Sequence, residues 1–408
     1  MHSFLITSTS TVINSILGVL FYILAANILG PASFGTFTIA ITVLILLSDI
    51  ANFGTDTGII RFVGKYADTD KIKVLQFLKL GLEFKFFIWL LILTIGWWVM
   101  PYLATEFFLK TELTVPFRLT LLGIGGTMFF SFIASTLQGF QRYYSWSFLN
   151  IFLNFFRLIS ISILPLLIIL SAENVLMLYI LVPFFGFLIG MIVLPNFLLI
   201  KNEYSVAKEF FHYNKWVALF IILAAMSNRV DIFLVGRFLP TADAGIYGVA
   251  SQLVAIFPQL IFAIAAVAAP KLSGFASDNQ AKIYLKKLQI MVIAIAGVTL
   301  LGIPLSMKLI PFFYGPAYLE SIRIFIILFL AQIIFLVSLP AHQAVFYYFA
   351  RPQLFVWITL IHIILMIFLG SYMITIMGLM GIALTVLIGN ISNFIIPAIW
   401  VLLKFKQK

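Results

Sequence analysis

The chain is 408 residues long, 63% hydrophobic and 10% charged, with 44 Phe and no Cys; its mean hydropathy is +1.15. A soluble domain carries roughly 25% charged residues, and a soluble protein of this size has no interior large enough for so much apolar side chain. Soluble enzymes, disordered tails and nucleic-acid-binding modules are excluded, as are disulfides and thiolate metal sites. The bulk of the chain is expected to use lipid as its solvent.

Apolar stretches long enough to cross a hydrocarbon core of roughly 30 Å recur along the chain. The first, 9–29, has no basic lead and no small-residue cleavage site, and is expected to be a retained span. The seam Gly30-Pro31 separates it from the second, 35–59. Spans three to six are expected at 84–103, 118–138, 146–170 and 174–199. After a polar stretch from Lys201 to Lys215 come 214–236, 244–268, 288–310, 322–346, 353–376 and 379–403. The expected fold is an all-α integral membrane protein of about 12 transmembrane helices. Period-2 alternation, the mark of transmembrane strands, is lacking.

The 25 Lys and Arg outnumber the 14 Asp and Glu, for a formal charge of +11. Their placement sets orientation, because cytoplasmic loops collect Lys and Arg. Eighteen fall in the loops after the even-numbered spans and in the tail (Lys85 and Lys408 counted among them), five fall on the other side, and Arg157 and Arg229 lie within spans. Both termini are therefore expected in the cytoplasm.

Shifting the chain by 210 residues lays Leu29 on Leu239, Gly35 on Gly245, Phe37 on Tyr247, Ala40 on Ala250 and Arg61 on Lys271. At a shift of 209, Phe140 meets Phe349 and Arg142 meets Arg351. Two six-helix bundles in parallel repeat are expected: residues 1–200, a cytoplasmic linker 201–215, and residues 216–408. Repeats of this kind are a feature of carriers.

Polar groups inside spans are costly and mark pathways or partners. Asn150, Asn154 and Arg157 share one helical stripe in the fifth span, and Asp49, Asn52 and Asp56 another in the second. The seventh carries Asn228, Arg229 and Asp231; the last two, about 200° apart on a helix, cannot pair on one face. Two readings of Arg157 and Arg229 stay open: structural pairs with Asp49 or Asp56, or cavity cations that meet an anionic substrate. His362 is either a packed, hydrogen-bonded histidine or a proton switch. Asp49, Asp56 and His362 are the groups an ion-coupled carrier would use. The spacings Gly54–Gly58 and Gly186–Gly190 fit close helix packing. From Asp70 to Phe86, Ile72, Leu75, Leu78 and Leu82 line one side of an amphipathic helix, expected to lie among anionic lipid headgroups. No Walker lysine, HExxH or serine elbow occurs, so no catalytic residue, cofactor or metal site is expected.

The segment Leu29 to Lys65, with LGPASFGTF, the polar second span and GIIRFVGKYAD, resembles the N-terminal signature of polysaccharide flippases. These are the Wzx-type members of the multidrug/oligosaccharidyl-lipid/polysaccharide exporter superfamily. Asn228 to Leu272 is similar to the start of that family's second half. The resemblance implies two bundles around a cationic cavity and the flipping of polyprenyl-pyrophosphate-linked oligosaccharide across a prokaryotic cytoplasmic membrane by alternating access. Polysaccharide polymerase or glycosyltransferase partners are expected beside the anionic membrane lipids already inferred from the Asp70–Phe86 segment. Arg61 matches the basic position closing the second span, and Asn228, Arg229 and Asp231 match the polar cluster opening the second half. Arg61 and Arg142 are expected at the cytoplasmic mouth, and Asn150, Asn154, Arg157, Asn228, Arg229 and Asp231 in the cavity. The chain lacks the basic N-terminal lead usual in the family, and the additional pair of spans that lipid-II flippases carry. A proton- or sodium-coupled drug or metabolite antiporter of the same fold is the alternative.

Overall fold

The computed structural model describes residues 2–255, 257–275 and 277–407. Lys408, one of the counted cations, and Ile256, in the eighth span, lie outside the described residues. No strand occurs among those described. The helices are α1 (His2–Asn52), α2 (Thr55–Tyr66), α3 (Lys71–Tyr102), α4 (Thr114–Gly139), α5 (Tyr143–Ile163), α6 (Ala172–Val193) and α7 (Tyr204–Ser227), then α8 (Val230–Phe238), α9 (Thr241–Val254), α10 (Phe257–Ser273), α11 (Asp278–Thr299), α12 (Gly302–Tyr314), α13 (Ser321–Gln343), α14 (Gln353–Met377) and α15 (Leu379–Gln407).

Among the described residues, eleven helical stretches are long and apolar enough to cross a membrane. One of them, Ile6–Asn52, runs for 47 residues, about 70 Å at helical rise and twice a bilayer core. It breaks at Gly30, whose φ of 69° and ψ of 172° are not helical. Pro31 lacks an N–H and disfavours a helical residue before it, and glycine alone takes positive φ freely. Two spans therefore meet there, which gives twelve. Large apolar side chains point outward along them: Trp98 is 78% exposed and Ile192 85%. Such a surface is a wetting liability in water and a match to lipid.

The chain divides into two compact units, Met1–Arg229 and Val230–Lys408. The seventh span is broken at the turn Asn228–Arg229, so α7 packs within the first unit and α8 within the second. Of the stretch 201–215, only 201–203 is loop; the remainder is the start of α7. In the first unit α4 packs on α1, α3 and α6, and α1 on α5; in the second, α15 packs on α13 and α14. Phe62, Phe77 and Phe210 centre one aromatic core of the first unit, with the rings of Phe62 and Phe77 stacked 4.4 Å apart. The repeat recurs in backbone detail. Gln141 and Ala350, which the 209-residue shift pairs, both take positive φ, 57° and 51°.

Loops after even-numbered spans share one end of each unit. In the first, Lys79 Nζ donates to the Ile200 carbonyl at 2.7 Å, and Arg142 Nη1 to that of Val193 at 3.2 Å. In the second, Lys282 Nζ donates to the Phe405 carbonyl at 3.4 Å.

Three expectations need correction. The second span is not one helix: α1 ends at Asn52, Phe53 and Gly54 take φ of 47° and 71°, and α2 starts anew. Asp49, Asn52 and Asp56 therefore do not form one continuous stripe. The Asp70–Phe86 segment does not lie flat among headgroups. Asp70 caps α3 by accepting from the Lys73 N–H at 2.9 Å, and Val74, Phe77, Leu78 and Gly81 are buried in the first unit while Ile72 is exposed. Lys85, counted as a loop cation, is fully buried inside α3.

Candidate functional site

The first unit gathers the polar groups of α1, α5 and α7. Asn150, Asn154 and Arg157 do share a face of α5. Asn150 Nδ2 donates to its own helix at the Trp146 carbonyl (2.8 Å), and Asn154 Nδ2 reaches across to Asn14 Oδ1 on α1 at 2.8 Å. Arg157 Nη1 donates to Asn154 Oδ1 at 3.4 Å. Its guanidinium lies 4.1 Å from the ring centroid of Tyr179 on α6 and 5.7 Å from that of Phe21 on α1. No carboxylate pairs with it among the described residues.

Arg229, which closes the unit after α7, places Nη2 3.6 Å from the Asp49 carboxylate on α1. The two arginines thus differ in their partners. Arg229 has a carboxylate partner; Arg157 has only amides and ring faces. The Nε of each is buried without a hydrogen-bond partner among the described residues. Tyr22 on α1 stands beside this cluster, its ring 5.7 Å from that of Phe21, which lies 5.9 Å from that of Tyr179. Arg157, Arg229, Tyr22, Tyr179, Asn14, Asn150 and Asn154 all belong to the first unit, and guanidinium and phenol donors suit an anion with many oxygens.

Other expected site residues fall elsewhere. Asp56 faces Lys85, whose ammonium is 2.9 Å away, and Ser131 of α4 donates to the same carboxylate at 3.2 Å. Asn52 bridges the pair, donating to Asp56 and accepting from Lys85. Asn228 sits exposed at the turn between α7 and α8. Asp231 belongs to the second unit, where it accepts from the buried Tyr247 hydroxyl at 2.7 Å. His362 is also in the second unit, buried on α14. Asn393 of α15 donates its side-chain amide to His362 Nδ1 at 2.8 Å and accepts at its backbone carbonyl from His342 Nε2 of α13, also at 2.8 Å. Arg61 and Arg142 lie exposed at the shared loop end, with Arg61 over the Tyr213 ring at 4.7 Å.

Sequence reasoning missed Lys85 and the first turns of α7. Lys85 gave no warning, since a lysine at the edge of an apolar run ordinarily snorkels to the interface. The α7 signal was available. Ser205, Lys208 and His212 recur at helical spacing inside the stretch taken for a linker, and Trp216 continues the spacing just beyond it.

A family described as "Polysaccharide biosynthesis protein" matches residues 1–276. No curated protein matches. Among solved structures, the chain is similar to an inward-facing multidrug resistance MATE family transporter of the MOP superfamily (TM-score 0.77, 14% identity, 97% of this chain and 95% of that one). It is also similar to the lipid II flippase MurJ in an inward closed conformation (TM-score 0.71, 18% identity, 98% and 87%). A third is a MOP superfamily transporter from Pyrococcus furiosus, whose description reports a binding pocket of reversed polarity (TM-score 0.58, 14% identity, 97% and 93%). At these identities the likeness is one of fold.

Proposed function

We propose that this chain, which belongs to the polysaccharide biosynthesis protein family, is a flippase that carries a lipid-linked oligosaccharide across the cell membrane of a prokaryote by alternating access. The observation that carries the reading is the uncompensated Arg157. Held by Asn154 and Tyr179 and paired with no carboxylate among the described residues, it keeps its charge for a ligand. A pyrophosphate accepts bidentate hydrogen bonds from guanidinium groups. Arg229 would join it by exchanging Asp49 for phosphate, with Asn150, Asn154 and Asn228 binding hydroxyls. Arg61 and Arg142 would meet the headgroup at the cytoplasmic mouth, with both termini on that side. An inside-negative potential favours outward movement of each uncompensated negative charge by about 2.3 kcal/mol per 100 mV. Two phosphate charges would then drive export without a bound ion.

Arg157→Ala is expected to abolish surface polysaccharide while the protein stays in the membrane at normal levels. Undiminished polysaccharide would remove Arg157 from the site. The antiporter alternative needs a carboxylate free to load a cation. Asp49 and Asp56 are both engaged by basic side chains, which supports the flippase reading over it.

A further inference from the structure

Along α7, Ser205, Lys208, His212 and Trp216 follow one another at intervals of three, four and four residues, so they stand on a single helical face. The end of α2 stands opposite, bringing Arg61 and Phe62. Between them lies a cavity of about 700 Å³, all within the first unit. That volume suits a small-molecule headgroup.

The cavity's charge is positive despite one acid in its lining. The Glu209 carboxylate turns to Lys73 Nζ at 2.8 Å, Lys65 Nζ at 3.5 Å and the Tyr66 hydroxyl at 2.9 Å. It is thereby neutralised by residues outside the lining. Arg61, Lys208 and His212 have no carboxylate partner among the described residues. The Arg61 guanidinium carbon lies 4.7 Å from the Tyr213 ring centroid, a cation–π contact that leaves its N–H groups as donors. Beside Arg61 and Lys208, Trp216 is 67% exposed.

Cations alone would serve any phosphate. An indole next to them adds a flat apolar plate, which a phosphate group by itself does not use. A pyranose does, because one face of the ring presents only C–H bonds while its rim carries hydroxyls. We propose that the cavity between α2 and α7 is a binding site for a glycosyl phosphate: the phosphate on Arg61 and Lys208, the sugar ring on Trp216, its hydroxyls on Ser205 and His212. This rests on the flippase reading and places sugar recognition at the loop end, separate from Arg157.

The test uses the full-length protein in nanodiscs, titrated calorimetrically with glucose 1-phosphate, glycerol 3-phosphate and glucose. Glucose 1-phosphate is expected to bind about tenfold or more tighter than either other probe. Arg61→Gln and Lys208→Gln should each weaken it about tenfold. Trp216→Leu should reduce it to the glycerol 3-phosphate level without altering binding of glycerol 3-phosphate, and Trp216→Phe should restore the difference. Lys406→Gln, exposed on α15 in the second unit, should change nothing. Equal binding of the two phosphates would mark a generic phosphate or lipid-headgroup site and overturn the proposal, as would full binding in Arg61→Gln. The two readings fail separately. No probe binding, with export still dependent on Arg157, removes this cavity alone. Probe binding as expected, with export intact in Arg157→Ala, removes the export role of Arg157 alone.

Discussion

The ammonium of Lys85 lies 2.9 Å from the Asp56 carboxylate, and no part of the lysine side chain reaches the surface. The pair joins α3 to α2 just beyond the break at Phe53–Gly54. Ser131 and Asn52 supply further hydrogen bonds, so neither charge is left to the low-dielectric interior alone. Asp56 already holds a cation, and that cation is covalently part of the chain. A sodium ion or proton would have to displace it.

Breaking one half of such a pair leaves an uncompensated buried charge. Lys85→Met is expected to destabilise the protein by about 3–5 kcal/mol, read as a lowered thermal midpoint in detergent. Replacing both partners, Lys85→Met with Asp56→Leu, should recover most of that loss. If the double variant is no more stable than the single, the pair is not the stabilising contact.

Asp49 and Arg229 contribute differently. Their 3.6 Å contact is partly solvated, with the aspartate side chain 41% exposed. Asp49→Asn should shift stability by less than about 1 kcal/mol and leave surface polysaccharide intact. Loss of export in a stably inserted Asp49→Asn protein would instead mark Asp49 as an ion carrier.

The approach of α2 to α7 depends on glycine. A Cβ at Gly58 would sit 2.4 Å from Asn214 Oδ1, and one at Gly54 2.8 Å from Val217 Cγ1. Gly58→Ala should cost about 1–3 kcal/mol by overpacking. Adding Asn214→Ala should return part of it, since the buried Asn214 amide has no partner among the described residues. Thermal unfolding of the two single variants and the double one checks this.

In the second unit, Asn393 bridges His342 and His362. Asn393→Ala removes the donor to His362 Nδ1 and should cost about 1–3 kcal/mol, again as a lower thermal midpoint. Asn393→Gln, which keeps the amide, should fall between. Equal midpoints for all three proteins would make the bridge incidental.

The twelve spans and their seams were legible in the sequence because a hydrocarbon slab imposes a length. A run of about 20 apolar residues answers to that thickness whatever its neighbours do. Gly30-Pro31 announced a break for an equally local reason, a residue free at positive φ before one without an N–H. The grouping of cationic loops at one end was legible too, since even-numbered seams must share a side. The stripe on α5 followed from helical periodicity and is present as Asn154 and Arg157.

Pairing is decided at a distance, and there the tertiary structure was needed. Nothing local marks Phe53 for a left-handed backbone, yet that break turns Asp56 toward α3 and fixes it to Lys85. Which arginine met a carboxylate depended on how α7 approached α1, with Asp49 and Arg229 separated by 180 positions in the chain. Periodicity tells which residues share a face of one helix. Only packing tells which face of another helix they meet, and inside a membrane that choice separates a neutralised charge from one kept for a ligand.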